Sequence, residues 1–238
     1  MKIPTHILLF FSLFLGSCSG DEKMNAFSTS QNLPMETPKT YKYLALGDSY
    51  TIGESVCETC NLPQQLKSKL ESIIPDSTVN LTIIATTGWT TTNLKNAINI
   101  QNPASEHDLV TLLIGVNNQY QHKPFSLYEQ EFPELLNKAI ALARGDKMHV
   151  IVVSIPDYAY TPFGHGSASI SAEIQQYNTF AKNYSEAHGV VFVNITDITQ
   201  QGLENPGLVA EDGLHPSEMA YAKFVERILP KVLAILNP

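Results

Sequence analysis

The chain of 238 residues is 43% hydrophobic and carries 15 basic against 23 acidic side chains, a formal charge of −8. That content supports one well-buried domain, and no second composition regime, internal repeat or low-complexity tract marks another. The acidic balance, with neither a basic stripe nor interleaved basic and aromatic residues, argues against nucleic acid as a partner.

The first residues set themselves apart. Lys2 precedes a largely apolar run from Ile7 to Leu15, too short to cross a bilayer as a helix, followed by Leu15-Gly16-Ser17-Cys18. Residues 1–17 read as an export signal whose end resembles the lipobox of bacterial lipoproteins. On that resemblance Cys18 becomes the lipidated amino terminus, and the protein is held at a membrane of the cell envelope. Residues 18–40 are polar, contain two prolines, lack periodicity and read as a tether.

From Tyr41 onward short apolar runs alternate with longer amphipathic ones. The runs YKYLALG, VNLTIIA, DLVTLLIG, HVIVVSIP and VVFVNI predict five strands, most of them continuous in apolar residues as strands covered on both faces should be. Between and after them, Leu62, Leu66, Leu70 and Ile74 predict one helix, and Leu135, Leu136, Ala139, Ile140 and Ala143 another, closed by Gly145. Ile174, Tyr177, Phe180, Ala181 and Tyr184 predict a third, closed by Gly189. A last helix spans Ser217 to Leu236, with Pro230 expected to kink it. Alternating β and α elements call for a parallel sheet with helices on both sides, whose functional crevice lies beyond the carboxyl ends of the strands. Ser49, Gly88 and Gly115-Val116-Asn117-Asn118 follow the first three strands, so they are expected there. Cys57 and Cys60 fall in the segment leaving Ser49; export permits a small disulfide between them, free thiols are the alternative, and one C-x-x-C without further context does not make a redox enzyme. Two more Cys or His at suitable spacing, which a structural zinc would need, are absent nearby.

A serine placed at the end of a buried strand becomes a nucleophile only with a base, a group that orients the base and donors for an oxyanion. His6 lies in the signal, His107 and His149 at the amino ends of strands, and His188 at a helix carboxyl end. His122 and His165 lie in loops with no carboxylate positioned near them in sequence. In AEDGLHPSEM, Asp212 precedes His215 by three residues across a glycine, a spacing that brings carboxylate and imidazole together in one loop.

The blocks Gly47-Asp48-Ser49-Tyr50, Gly88, Gly115-x-Asn117 and Asp212-x-x-His215 resemble, in order and rough spacing, those of the SGNH or GDSL-type hydrolases, and the resemblance runs from about Tyr43 to the end of the chain. It implies a flavodoxin-like three-layer α/β/α sandwich with a five-stranded parallel sheet. By the same resemblance Ser49 is the nucleophile, His215 the base and Asp212 its orienting partner. The backbone amides of Ser49 and Gly88 with the side chain of Asn117 then form the oxyanion hole, and no metal or organic cofactor is called for. Tyr50 stands where the motif has Leu, Asn118 where many members have Asp, and Ala220 where a glycine often follows the His block. The Gly-x-Ser-x-Gly elbow of α/β-hydrolases is missing, since Thr51 occupies the last glycine position.

The expected activity is therefore hydrolysis of carboxylic esters through an acyl-enzyme. The same machinery also serves thioesters and lysophospholipids, and a non-catalytic glycan-binding module is the reading from another class. Ser126, Phe125, Tyr120, Tyr158, Tyr160, Phe163 and the FGHGS loop are expected to line the crevice, with Trp89 either beside them or in the core.

Overall fold

The computed structural model describes residues 38–236. The expected signal at residues 1–17, Cys18 and all but the end of the polar tether lie outside the described residues.

Five parallel strands form one sheet in the order β2-β1-β3-β4-β5: β1 Lys39–Gly47, β2 Ser77–Ala85, β3 Leu109–Leu113, β4 Val150–Val153 and β5 Val191–Val193. Every residue of β3 and β4 is buried, as their unbroken apolar runs require of central strands. β2, at an edge, alternates exposed positions with buried or half-buried ones over most of its length. β1 begins at Lys39, two residues earlier than the sequence pattern indicates, because Lys39 and Thr40 pair with Ser77 and Thr78 of β2.

Among the described residues eight α-helices flank the sheet. α1 (Ser49–Ile52) is one turn at the end of β1. The others are α2 (Leu62–Ile73), α3 (Thr91–Gln101), α4 (Val116–Tyr120), α5 (Phe125–Leu142), α6 (Ala168–Ala187), α7 (Thr196–Thr199) and α8 (Glu218–Leu236). α2 and α8 pack together on one face, while α3, α5 and α6 form the other layer, giving the three-layer sandwich. The chain leaves β1 for β2 on one side and reaches β3 on the other, so the strand order reverses between β1 and β3.

Three expectations shift. α3 has no counterpart in the sequence reading: its buried residues Leu94, Ala97 and Ile98 are interrupted by polar ones, and it starts through a capping box of Thr90 and Asn93. α5 begins ten residues before its apolar stripe and runs through Pro133. α8 carries Pro230 within its span. Phe125 and Ser126 do not line the crevice. Helix α5 turns Phe125 into an aromatic cluster with Tyr128, Tyr177 and Phe180, at centroid distances of 5.0–6.2 Å, and leaves Ser126 exposed.

Candidate active site

The register aligns Gly47 at the end of β1 with Ala85 of β2 and with Leu113 of β3. The next residues of all three strands therefore emerge on one rim. At the β1 end only glycine fits position 47, since a Cβ there would lie 2.0 Å from Thr51 Oγ1 and 2.4 Å from the Leu113 carbonyl oxygen. Asp48 caps the following turn, its Oδ1 accepting from Tyr50 N at 3.0 Å, and the turn closes at Gly53 with φ 81°. This strand-to-turn corner presents Ser49, which is 4% exposed. The rest of the Asp48 carboxylate is fully buried: Oδ2 has no partner among the described residues, and burial pushes the carboxyl up to about 7.

Beyond β2, a turn in which Trp89 N donates to the Thr86 carbonyl brings up Gly88, whose φ of 82° suits a residue without Cβ. Beyond β3, Gly115 turns the chain with φ 131°, packed so closely on Tyr128 that a Cβ would lie 2.6 Å from its ring, and α4 follows. Asn117 Nδ2 donates to the Trp89 carbonyl at 3.0 Å. One amide hydrogen is thereby used in orienting the group, and the other is left for a ligand. Asn118 does a different task. Fully buried, it accepts from Thr91 N at 2.9 Å and donates to Thr91 Oγ1 at 2.7 Å, tying α4 to the start of α3. Thr91 Oγ1 in turn donates to buried Glu131, whose charge is met by Lys95 at 3.3 Å.

The fourth contributor comes from no strand. The loop before α8 is held by an antiparallel bridge between Val209 and Pro216, with Ala210 N donating to the His215 carbonyl at 2.7 Å. Inside it, Gly213 with φ 70° lets Asp212 fold back: Oδ1 accepts from Leu214 N at 2.9 Å and His215 N at 3.0 Å, while Oδ2 faces His215 Nδ1 at 2.6 Å and accepts from Ser55 Oγ at 2.7 Å. Partial burial by itself would raise the Asp212 carboxyl. Hydrogen bonds from the His215 side chain, then its backbone, Ser55 and Leu214, outweigh it and hold the group well below the usual carboxylate range. The Tyr50 ring meets the imidazole edge-on, with centroids 5.6 Å apart.

Ser49, Gly88, Asn117 and His215 line one cavity of about 180 Å³, walled by Tyr50, Thr87, Val116, Tyr120, Tyr158 and Leu214. Tyr120, half exposed, sits with Tyr158 and the exposed Phe163 in a rim of three rings 6.1–6.2 Å apart. Tyr160, Trp89 and the glycines of FGHGS are not among the wall residues. Trp89 packs part-buried against the core, and its contribution to the site is its carbonyl, which no side-chain pattern reveals. The segment leaving α1 carries a disulfide between Cys57 and Cys60.

The other described histidines lie elsewhere. His107 and His149 precede β3 and β4 at the opposite rim, and His188 Nδ1 lies 2.7 Å from the Tyr184 carbonyl at the end of α6. His122 and His165 are exposed loop residues with φ 53° and 51°. A larger polar cavity of about 580 Å³, between α6 and the β5–α7 corner, includes neither Ser49 nor His215. Among the described residues no group of three His, Cys, Asp or Glu side chains is gathered that could hold a metal ion.

An activatable hydroxyl, an imidazole bound to a carboxylate, and donors converging from three strand ends can together carry acyl transfer. Comparisons with known proteins agree with that chemistry. The family model described as GDSL-like lipase/acylhydrolase matches residues 45–223. No match was found among curated protein sequences. Among solved structures, a lipolytic protein of the G-D-S-L family from Veillonella parvula superposes with a TM-score of 0.63 at 18% identity, over 80% of this chain and 97% of that one. An acetylxylan esterase from Geobacillus stearothermophilus gives 0.61 at 19% identity, over 83% and 96%. A psychrotrophic esterase from Pseudoalteromonas, inhibited by monoethylphosphonate, gives 0.59 at 17% identity, over 83% and 99%. At these identities the structural likeness speaks for the fold.

Proposed function

Since the chain belongs to the GDSL-like lipase/acylhydrolase family, a family of ester hydrolases, we propose that it cleaves carboxylic esters by a covalent route in which Ser49 is the nucleophile, His215 the base and Asp212 the group that orients it. Ser49 Oγ attacks the ester carbonyl as its proton passes to His215 Nε2. The imidazolium that forms is stabilised through Nδ1–H by the Asp212 carboxylate, whose low proton affinity keeps it charged at neutral pH. The carbonyl π electrons move onto oxygen, and the resulting oxyanion receives the backbone N–H groups of Ser49 and Gly88 and the second amide hydrogen of Asn117. Collapse expels the alcohol, which takes the proton from His215, and leaves an acyl-Ser49 ester. Water, deprotonated by His215, repeats the sequence and releases the acid.

The observation that carries this reading is the single cavity shared by Ser49, Gly88, Asn117 and the carboxylate-bound His215. Its size refines the substrate. At about 180 Å³ the cavity is smaller than the roughly 300–1,000 Å³ usual for small-molecule pockets, which supports a short acyl group. A long-chain lysophospholipid would leave most of its tail outside. The acetylxylan esterase among the structural neighbours acts on an acetyl ester, in keeping with that size.

The test is a fluorophosphonate probe, which reacts with an activated serine. Labelling mapped to Ser49 by mass spectrometry, with turnover of 4-nitrophenyl acetate and loss of both in Ser49→Ala, is the expected result. An unlabelled protein that binds sugars without hydrolysing esters would be a glycan-binding module instead. The sequence Leu15-Gly16-Ser17-Cys18 supports export and lipidation of Cys18, and a mature amino terminus found unmodified at another residue would overturn that part.

A further inference from the structure

Two consecutive residues with no part in the steps above, Glu54 and Ser55, reach two separate parts of the catalytic site. They follow α1 directly, and both Gly53 N and Glu54 N donate back to the Ser49 carbonyl at 3.0 and 3.1 Å. Ser55 adopts φ 65°, a left-handed conformation unusual for serine, although it is an exposed loop residue with no core packing to impose it. So turned, its hydroxyl donates to Asp212 Oδ2 at 2.7 Å across 157 residues of chain. That is the oxygen facing His215 Nδ1. One residue earlier, the Glu54 carboxylate accepts a hydrogen bond from the hydroxyl of Thr87, a cavity-lining residue next to Gly88.

The pair is braced from behind. The buried Asn61 side chain donates to the carbonyls of Ile52 at 3.1 Å and Glu58 at 3.0 Å, and the Cys57–Cys60 disulfide closes the turn between.

Resting on the roles proposed for Ser49, Asp212 and His215, the geometry points to Glu54 and Ser55 as positioning residues: a clasp that fixes the carboxylate behind the base with one side chain and the oxyanion turn with the next. Backbone amides hold only Oδ1 of Asp212. Ser55 gives Oδ2 a second donor besides His215, so the carboxylate plane stays aimed at Nδ1 without drifting toward solvent. Glu54 acts equivalently on the Thr86–Trp89 turn that carries Gly88.

Steady-state kinetics on 4-nitrophenyl acetate test the clasp, using Ser55→Gly, Ser55→Ala, Glu54→Ala, Asp212→Asn and the double variant Asp212→Asn/Ser55→Gly. Glycine accepts φ 65° without strain whereas alanine does not, so the two separate the hydroxyl from the backbone. The expected result is a loss of about tenfold in kcat for both Ser55 variants at unchanged KM, the scale of one hydrogen bond to a charged group. Glu54→Ala should also lower kcat at unchanged KM. In the Asp212→Asn background, Ser55→Gly should cost less than twofold, because its partner charge is gone. Wild-type kinetics in Ser55→Gly would overturn the Ser55 arm, as would a tenfold loss that persists in the double variant. An unchanged kcat in Glu54→Ala would overturn the two-sided clasp. If fluorophosphonate still labels Ser49 and Ser49→Ala is inactive, those outcomes sink the clasp alone. If Ser49→Ala is fully active, the serine mechanism falls and takes the clasp with it.

Discussion

Ser49 and Asn117 stand just beyond the ends of two central strands and are 4% and 9% exposed, whereas Asp212 and His215 ride on a loop that belongs to no sheet, their side chains 29% and 12% exposed. The first pair inherits its position from backbone register and a tightly packed corner that excludes any side chain at Gly47. The second pair is assembled by hydrogen bonds inside one turn and one tie from a distant segment. The sheet half should therefore respond to substitution in the chemistry it performs, with geometry unchanged. The loop half should respond in geometry, by amounts that its remaining hydrogen bonds limit.

The largest effect tests the sheet half. Ser49→Ala should lower kcat by roughly 10⁴- to 10⁶-fold, and adding His215→Ala should cost little more, because in the proposed mechanism the groups act as one unit. Additive losses would mean that the two halves do not work together. Next comes Asn117→Ala, expected to lower kcat by roughly 10²- to 10³-fold with KM nearly unchanged, since an oxyanion donor acts chiefly on the transition state. A rise in KM alone would make Asn117 a substrate-binding residue.

For the loop half, Asp212→Asn keeps an oxygen for the amides of Leu214 and His215 and turns its NH₂ toward Nδ1, which favours the wrong imidazole tautomer. In a buried triad that change costs ~10⁴-fold in kcat. Here the imidazole is partly open to water, which can replace the lost acceptor, so a smaller loss is expected. A loss as large as that of Ser49→Ala would show the loop to be as rigidly coupled as the sheet.

The two aspartates separate the halves again by pH. Asp48, buried next to Ser49 in the chain, has its carboxyl raised to about 7, so the folded state binds its proton more tightly than the unfolded chain does. Its contribution to stability is fully present below about pH 4, the unfolded value, and is lost as pH rises toward 7. Asp212 is shifted the other way, so its contribution is present above about pH 4 and is lost on acidification below it. Thermal melts of wild type and Asp48→Asn, which keeps the Oδ1 cap on Tyr50, should show a decline in Tm between pH 5 and 7 only in the wild type. Parallel profiles would assign that decline to other groups.

How much of this was legible in the sequence follows the same division. Strand ends are written in apolar runs that stop at Gly47, Ala85 and Gly115, so the positions of Ser49, Gly88 and Asn117 are readable, and the Asp-Gly-x-His spacing indicates a single loop. Helix α3 was hidden because Thr90, Thr91, Thr92, Asn93, Asn96 and Asn99 dilute its apolar stripe. Phe125 was misplaced because its nearness to Asn117 along the chain says nothing about which way α5 turns it. The Trp89 carbonyl that orients Asn117 is a backbone atom, and the Ser55–Asp212 bond joins residues 157 apart, so no local pattern encodes either.

The smallest expected effect tests whether the segment between the halves matters more for catalysis than for folding. The Cys57–Cys60 bridge spans only 3 positions, and chain-entropy bookkeeping for so short a loop gives at most about 2 kcal/mol. For a domain of this size that corresponds to a fall in Tm of about 4–8 °C. Cys57→Ser/Cys60→Ser should therefore remain folded, with a Tm lowered by no more than that range. Asn61 keeps its bonds to the Ile52 and Glu58 carbonyls in the variant, so the turn is loosened, not released. Because only Val56 separates Glu54 and Ser55 from the bridge, the looser turn should weaken both of their ties, and kcat should fall severalfold at unchanged KM. A Tm loss with kcat intact would make the bridge purely a folding staple. A kcat loss with Tm intact would place its role in holding the two halves of the site together.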